Sequence, residues 1–181
     1  LIKPVIKHVK AIFKDYVYSV DIPTLEEALV KKLKSQNKTL ATAESCTGGS
    51  ISKRITNVSG SSDVFELGLV TYSNRIKHEI LNVDQDILKT HGAVSKETAE
   101  AMSQNLLKLS GADIVVSVTG LAGPTGGSKE KPVGLVYINV ATKDKSITQK
   151  LMLSRGYKNE RERIRLLSTS HALKLVLDNL D

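Results

Sequence analysis

This chain of 181 residues is 40% hydrophobic and 25% charged, an ordinary globular composition with enough length to bury an aliphatic core. With no Trp, 4% aromatics and a single cysteine, it excludes an internal disulfide framework and leaves few platforms for stacking nucleic-acid bases. A net charge of +7, scattered rather than gathered in one block, favours anionic partners such as phosphorylated metabolites, and the lone Cys46 fits a reducing, cytoplasmic setting.

Ile2, Val5, Ile6, Val9, Ile12 and Phe13 recur at helical spacing, which predicts an amphipathic helix over 1–18 with a packing face. Asp21-Ile22-Pro23 breaks that pattern. The chain begins at Leu1 rather than Met and reads as a fragment or a processed chain. Thr24-Leu25-Glu26-Glu27 is a capping box opening a helix to about Ser35. A strand over 39–43 runs into the turn Glu44-Ser45-Cys46-Thr47-Gly48-Gly49, and a helix is expected over 48–57.

Phe65 to Ser73 reads as a second strand and Arg75 to Leu81 as a short helix, with irregular or helical chain to about Thr90. His91 to Ser95 is a loop whose Ser95 can cap a helix over 96–109. Ile114 to Thr119 is a continuous apolar run, hence a buried strand. A glycine-rich loop covers 120–132. Val133–Thr142 and Ser146–Leu153 are joined by a turn too short for a crossover, so this pair must be antiparallel. A long helix over about 158–179 closes the chain. Strands alternating with helices predict a layered α/β fold with a mixed, largely parallel sheet. No run approaches the roughly 18 apolar residues of a membrane span, and no signal-peptide layout is present.

The turn at 44–49 is the richest in chemistry. A strand that turns sharply into a helix presents its turn residues, and the first N–H groups of the helix, at the carboxyl end of a sheet. Ser45 is a nucleophile only if a base takes its proton. His8, His78, His91 and His171 stand in no triad-like spacing. Lys77, just past the second strand, becomes a base if burial or a nearby cation such as Arg75 or His78 lowers its pKa. Cys46 is the rival nucleophile, or else a small apolar filler. Glu44 braces the turn or orients a cation. Thr47-Gly48-Gly49 has the makings of an anion cradle but lacks the lysine of a P-loop and the G-x-G-x-x-G spacing. The loop from Thr119 and Gly120 to Gly127 follows a buried strand and should flank the same cleft. Arg161 and Arg165, four apart, either hold a phosphate or pair with Glu160 and Glu162. No metal-ligand pattern stands out.

Taken in order, Thr42 to Gly49, Tyr72-Ser73-Asn74 with Lys77, Gly92-Ala93-Val94-Ser95, Gly120 to Gly127, Lys131-Pro132-Val133-Gly134 and Arg161 with Arg165 resemble the C-terminal domain of the competence/damage-inducible protein CinA, the nicotinamide mononucleotide deamidase family. The resemblance spans roughly 24–180. It implies a three-layer α/β/α sandwich with about five strands. It implies hydrolysis of the carboxamide of nicotinamide mononucleotide to nicotinate mononucleotide and ammonia, without cofactor or metal. Ser45 would be the nucleophile and Lys77 the general base. Thr47, Gly48, Gly49, Tyr72, Thr119, Gly120 and Arg161 would serve the oxyanion and the substrate. Self-association is expected, and no membrane or nucleic-acid partner. Residues 1–22 would be a linker or the tail of an upstream domain, and 23–181 the deamidase domain. Relatives usually carry Gly-Asn or Gly-Asp where this chain has Asn159-Glu160, and an acid there would compete with phosphate for Arg161. The competing readings are a non-catalytic regulatory or nucleic-acid-associated module linked to competence or DNA damage, and an amidohydrolase acting on another phosphorylated amide.

Overall fold

The computed structural model describes residues 2–14 and 17–180; the parts of the expected 1–18 helix and of the 23–181 domain that fall on residues 1, 15, 16 and 181 lie outside them. The strands are β1 (Leu40–Glu44), β2 (Phe65–Val70), β3 (Ile114–Gly120), β4 (Leu135–Thr142) and β5 (Ser146–Met152), in the spatial order β2-β1-β3-β4-β5. β1 lies parallel to β2 and β3, whereas β3–β4 and β4–β5 are antiparallel. Four strands therefore point the same way and β4 alone is reversed, the mixed, largely parallel sheet that the alternation of elements predicts.

The central strands are buried on both faces, so β3 reads as an unbroken apolar run and not as an alternation. Its even-numbered residues Ile114, Val116 and Val118 join a core with α2 (Leu25–Ser35), α3 (Ser50–Thr56) and α7 (Glu160–Asp178). Val115 faces the opposite core, built with Ala41 and Ala43 of β1 and with α4 (Asn74–Leu81), α5 (Gln85–Thr90) and α6 (Lys96–Ser110). The result is a three-layer sandwich. The N-terminal helix, α1 (Ile2–Phe13), has no buried residue, so the apolar stripe expected to be a packing face meets no core among the described residues.

Element edges moved where glycine or a capping residue decides them. α3 starts at Ser50 because Gly48 and Gly49 take φ of +61° and +89°, outside the right-handed helix. β2 stops at Val70 because Ser73 already accepts from the Ile76 N–H as the N-cap of α4. Asp84 caps α5 in the stretch expected to be irregular or helical. β4 begins at Leu135, after Gly134 at φ +93°, where a Cβ would lie 2.4 Å from the Ser154 nitrogen. Thr24 and Ser95 form the N-caps as read, each hydroxyl accepting the N–H three residues on.

The single reversal at β4 has a positional effect. It leaves the carboxyl ends of β2, β1, β3 and β5 at one edge of the sheet. The turns that follow those strands, and the first turn of α7 reached through residues 153–159, consequently meet there.

Candidate active site

Ser45 follows the last residue of β1, and its N–H donates to the Val118 carbonyl, extending the parallel ladder by one rung. Lys77 sits in the first turn of α4, which Ser73 aims back across the end of β2. The two side chains meet: Lys77 Nζ is 3.1 Å from Ser45 Oγ, across 32 residues of sequence. Nζ also donates to the main-chain carbonyls of Thr71, at 2.8 Å, and Tyr72, at 3.1 Å. Lys77 is completely buried, the bulkiest side chain among the described residues to be so.

This setting decides the protonation chemistry. Burial disfavours the ammonium, and among the described residues no carboxylate pairs with it to offset that, so the amine is pulled from the ordinary 10.5 down to about 8. Arg75 and His78 take no part in the shift. Arg75 pairs with Glu79 at the surface, and His78 Nδ1 meets the Val83 carbonyl. A neutral amine has two N–H bonds and one lone pair. Two of the three neighbours of Nζ are carbonyls that can only accept, so the lone pair is left to the hydroxyl of Ser45. Lys77 in its neutral form is thus set to take the Ser45 proton.

Cys46 points elsewhere. It belongs to the apolar core shared with α2, α3 and α7, and burial pushes its thiol up to about 11, which leaves little thiolate at neutral pH. Glu44, also wholly buried, accepts from the N–H groups of Ile51 and Ser52 at 3.1 and 2.9 Å and from the Ser52 hydroxyl at 2.8 Å. It is the brace of the turn: a carboxylate from the strand end that caps the following helix.

The remaining expected residues sort by what they touch. The Gly48 N–H is committed to the Ser45 carbonyl, and Gly49 is the N-cap of α3. The Thr47 hydroxyl is fully buried with no hydrogen-bond partner among the described residues. The Thr119 hydroxyl donates to the Ala93 carbonyl at 2.7 Å. A Cβ on Gly120 would lie 2.7 Å from Val136 Cγ2, so packing between β3 and β4 demands that glycine. Tyr72 is exposed, and its hydroxyl lies 3.4 Å from Arg161. Arg161 also donates to the Gly123 carbonyl at 2.6 Å, tying the second glycine loop to α7.

Arg165 pairs with neither Glu160 nor Glu162. Its Nε and Nη2 donate to the carbonyls of Cys46 and Thr47 at 3.1 and 2.9 Å, which pins the loop that carries the serine. Glu160 does not compete for Arg161. Its carboxylate accepts from the N–H groups of Arg155 and Tyr157, both at 2.8 Å, and hydrogen bonds from Ser154 and these amides hold it down at about 2. Sequence reasoning missed the loop-pinning role of Arg165 because its partners are backbone carbonyls, which leave no trace in a side-chain pattern. Pro124, Tyr157, Lys158, Arg161 and Arg165 line an open cleft of about 660 Å³ beside these loops. Among the described residues no group of three or more His, Cys, Asp or Glu side chains could hold a metal, and no helix is long and apolar enough to cross a membrane.

Residues 22–180 match the model of the CinA C-terminal domain. A putative competence-damage inducible protein of Caldanaerobacter subterraneus is 49% identical over 97% of this chain, and a CinA-like protein of Prochlorococcus marinus 44% identical over 98%. The chain spans 42% of the length of each of these two curated relatives. Among solved structures, the competence/damage inducible protein CihA of Agrobacterium tumefaciens superposes with a TM-score of 0.79 at 36% identity, covering 88% of this chain and 98% of that one. A CinA-superfamily protein of Escherichia coli does so with 0.79 at 27% identity, covering 91% and 97%. With its fold, its motifs and these likenesses in agreement, the chain belongs to the CinA C-terminal domain family.

Proposed function

We propose that this domain is a nicotinamide-nucleotide amidohydrolase that converts nicotinamide mononucleotide to nicotinate mononucleotide and ammonia through an acyl-enzyme on Ser45. The observation that carries the reading is the contact of a buried, carboxylate-free Lys77 with Ser45 Oγ at 3.1 Å. A surface lysine would be protonated at neutral pH and useless as a base. This one is poised close to it.

The Ser45 oxygen attacks the carboxamide carbon while its proton passes to the Lys77 lone pair. The oxyanion that forms is met by the N–H groups of Thr47 and Gly49 and by the Thr47 hydroxyl. Loss of one such donor typically costs a hundred- to a thousandfold in rate. Protonated Lys77, its three N–H bonds now directed to Thr71, Tyr72 and the departing nitrogen, gives its proton to the leaving group, and ammonia departs. Water then loses a proton to Lys77 and attacks the ester. The intermediate collapses, Ser45 regains its proton and the nicotinate carboxylate is released. The substrate phosphate falls to Arg161 at the rim of the cleft, and the net charge of +7 favours approach of the anion. The domain is expected to act in the cytoplasm as a homo-oligomer.

The test is ammonia release from nicotinamide mononucleotide by the intact protein, with Ser45→Ala and Lys77→Ala beside it. Release by the parent, lost in both variants, is the expected result. A parent without activity would favour the regulatory module, and a Ser45→Ala variant as active as the parent would return the role of nucleophile to Cys46.

A further inference from the structure

The register of the parallel strands carries a consequence for the residue that precedes Tyr72. Glu44 pairs with Val70 on one side and with Val118 on the other. The ladder continues one residue further, since the Thr71 N–H donates to the Glu44 carbonyl at 2.9 Å and the Ser45 N–H to the Val118 carbonyl at 3.0 Å. The next rung is therefore Thr71, Ser45 and Thr119, on three adjacent strands. Side chains alternate between the two faces of a sheet. Ala41 and Ala43 face the core with α4, α5 and α6, as do Leu67, Leu69 and Val115. By the same alternation Ser45, Thr71 and Thr119 turn to that face, toward the helix that brings Lys77.

Three hydroxyl-bearing residues thus share one rung at the carboxyl edge, one step past the ends of β1 and β2 and within β3, on backbones about 4.8 Å apart. Two of the hydroxyls are spoken for: Ser45 meets Lys77, and Thr119 donates to Ala93. The third, that of Thr71, is buried, on a residue only 1% exposed, and has no hydrogen-bond partner among the described residues. A buried hydroxyl left unpaired weakens a fold. Valine has the same shape and would fill the space without that penalty. Folding therefore supplies no reason for a threonine here. The reaction supplies one, because Thr71 borders both reacting groups: its carbonyl already holds Lys77 Nζ.

Resting on the amidohydrolase reading, we propose that the Thr71 hydroxyl contacts the position occupied in turn by the carboxamide nitrogen and by the hydrolytic water. The two share one place by symmetry. Ammonia leaves with a proton from Lys77, and the water that replaces it gives a proton to Lys77, so both must lie next to Nζ and in line with the acyl carbon. An acceptor oxygen beside that place takes one N–H of the amide in the first half-reaction and one O–H of water in the second. It also favours a primary amide over a dialkylated one, which has no N–H to offer.

The experiment compares the parent with Thr71→Val and Thr71→Ser in three measurements: steady-state ammonia release from nicotinamide mononucleotide, melting temperature, and intact mass of samples quenched during turnover. The expected result is that Thr71→Val melts at or above the parent temperature and loses kcat about tenfold or more while KM stays put. The fraction of enzyme carrying the acyl group should stay close to the parent's, since both half-reactions slow together, and Thr71→Ser should restore most of the rate. Thr71→Val turning over within about twofold of the parent would overturn the proposal. So would a Thr71→Val protein that fails to fold or melts well below the parent, since the hydroxyl would then serve the fold. A parent that releases no ammonia defeats the amidohydrolase reading itself, an outcome visible before any variant is compared.

Discussion

Two glycine-rich turns leave neighbouring strands at the same edge of the sheet, and they are built in opposite ways. In the turn after β1 every residue from Glu44 to Thr47 is buried, and side chains from three helices or their caps hold it: Ser52 on Glu44, Lys77 on Ser45, Arg165 on the carbonyls of Cys46 and Thr47. In the loop after β3, residues 124–130 are exposed, and the loop is gripped chiefly at its base, by Arg161 on Gly123 and by hydrogen bonds between Leu121 and the Gly134–Leu135 backbone. The contrast teaches that a run of glycines says little by itself. A turn becomes a place for chemistry when its backbone is fixed from outside, and a rim when only its ends are.

The largest effects should fall on the first turn. Ser45→Ala and Lys77→Ala should each lower ammonia release by about a thousandfold or more, leaving whatever the oxyanion donors supply alone. A loss of less than about tenfold from either, measured as kcat/KM, would erase the distinction between the two turns.

Next comes the dependence on pH. The proposed mechanism needs neutral Lys77, so kcat/KM should rise with pH and level off above about 8. Stability carries the same signature. Between about 8 and 10.5 the unfolded chain holds a proton on Lys77 that the folded chain does not, so folding gains stability as pH rises through that window. Below it, the buried ammonium costs the fold on the order of 3 kcal/mol. In Lys77→Met this part of the pH dependence of chemical denaturation should vanish.

Glu44→Gln tests whether the brace is needed. An amide can satisfy one of the two N–H donors but turns its own NH2 toward the other, so stability should fall by about 2 kcal/mol. Thermal melting reads that loss, with ammonia release falling in parallel as α3 loosens. Arg161→Ala, on the rim, should raise KM for the nucleotide about tenfold and change kcat little, since it would hold the phosphate and not the reacting atoms. Smallest of all, Thr125→Ala and Lys129→Ala at the exposed loop tip should stay within about 0.5 kcal/mol of the parent in denaturant titration.

Where most elements lie was legible because local rules decide it: the caps at Thr24 and Ser95, the apolar run of β3, and a β4–β5 connection too short to cross over. Edges were less so. Gly48 and Gly49 looked like the start of a helix until their positive φ placed them before it, and Ser73 looked like strand although a serine three residues before Ile76 is also a cap. Within the site, Ser45 and Lys77 could be named as candidates because each follows a strand, but Cys46 stayed open as a rival nucleophile, and the serine–lysine pairing came from the resemblance to the CinA C-terminal domain family. The grip of Arg165 on two carbonyls could not be read, and neither could the alignment of Thr71 with Ser45, because a rung exists only once the register of two strands is known.

The grip of Arg165 on Cys46 spans 119 residues of sequence, against 32 for the serine–lysine contact. Long loops close late, since their entropy must be lost before the contact rewards it. During refolding, a chain whose sheet has formed but whose last helix has not seated would hold its reactive pair together on an unpinned loop. Recovery of turnover would then trail the recovery of secondary structure, and enzyme assay, not circular dichroism, would report the moment at which the chain is fully assembled.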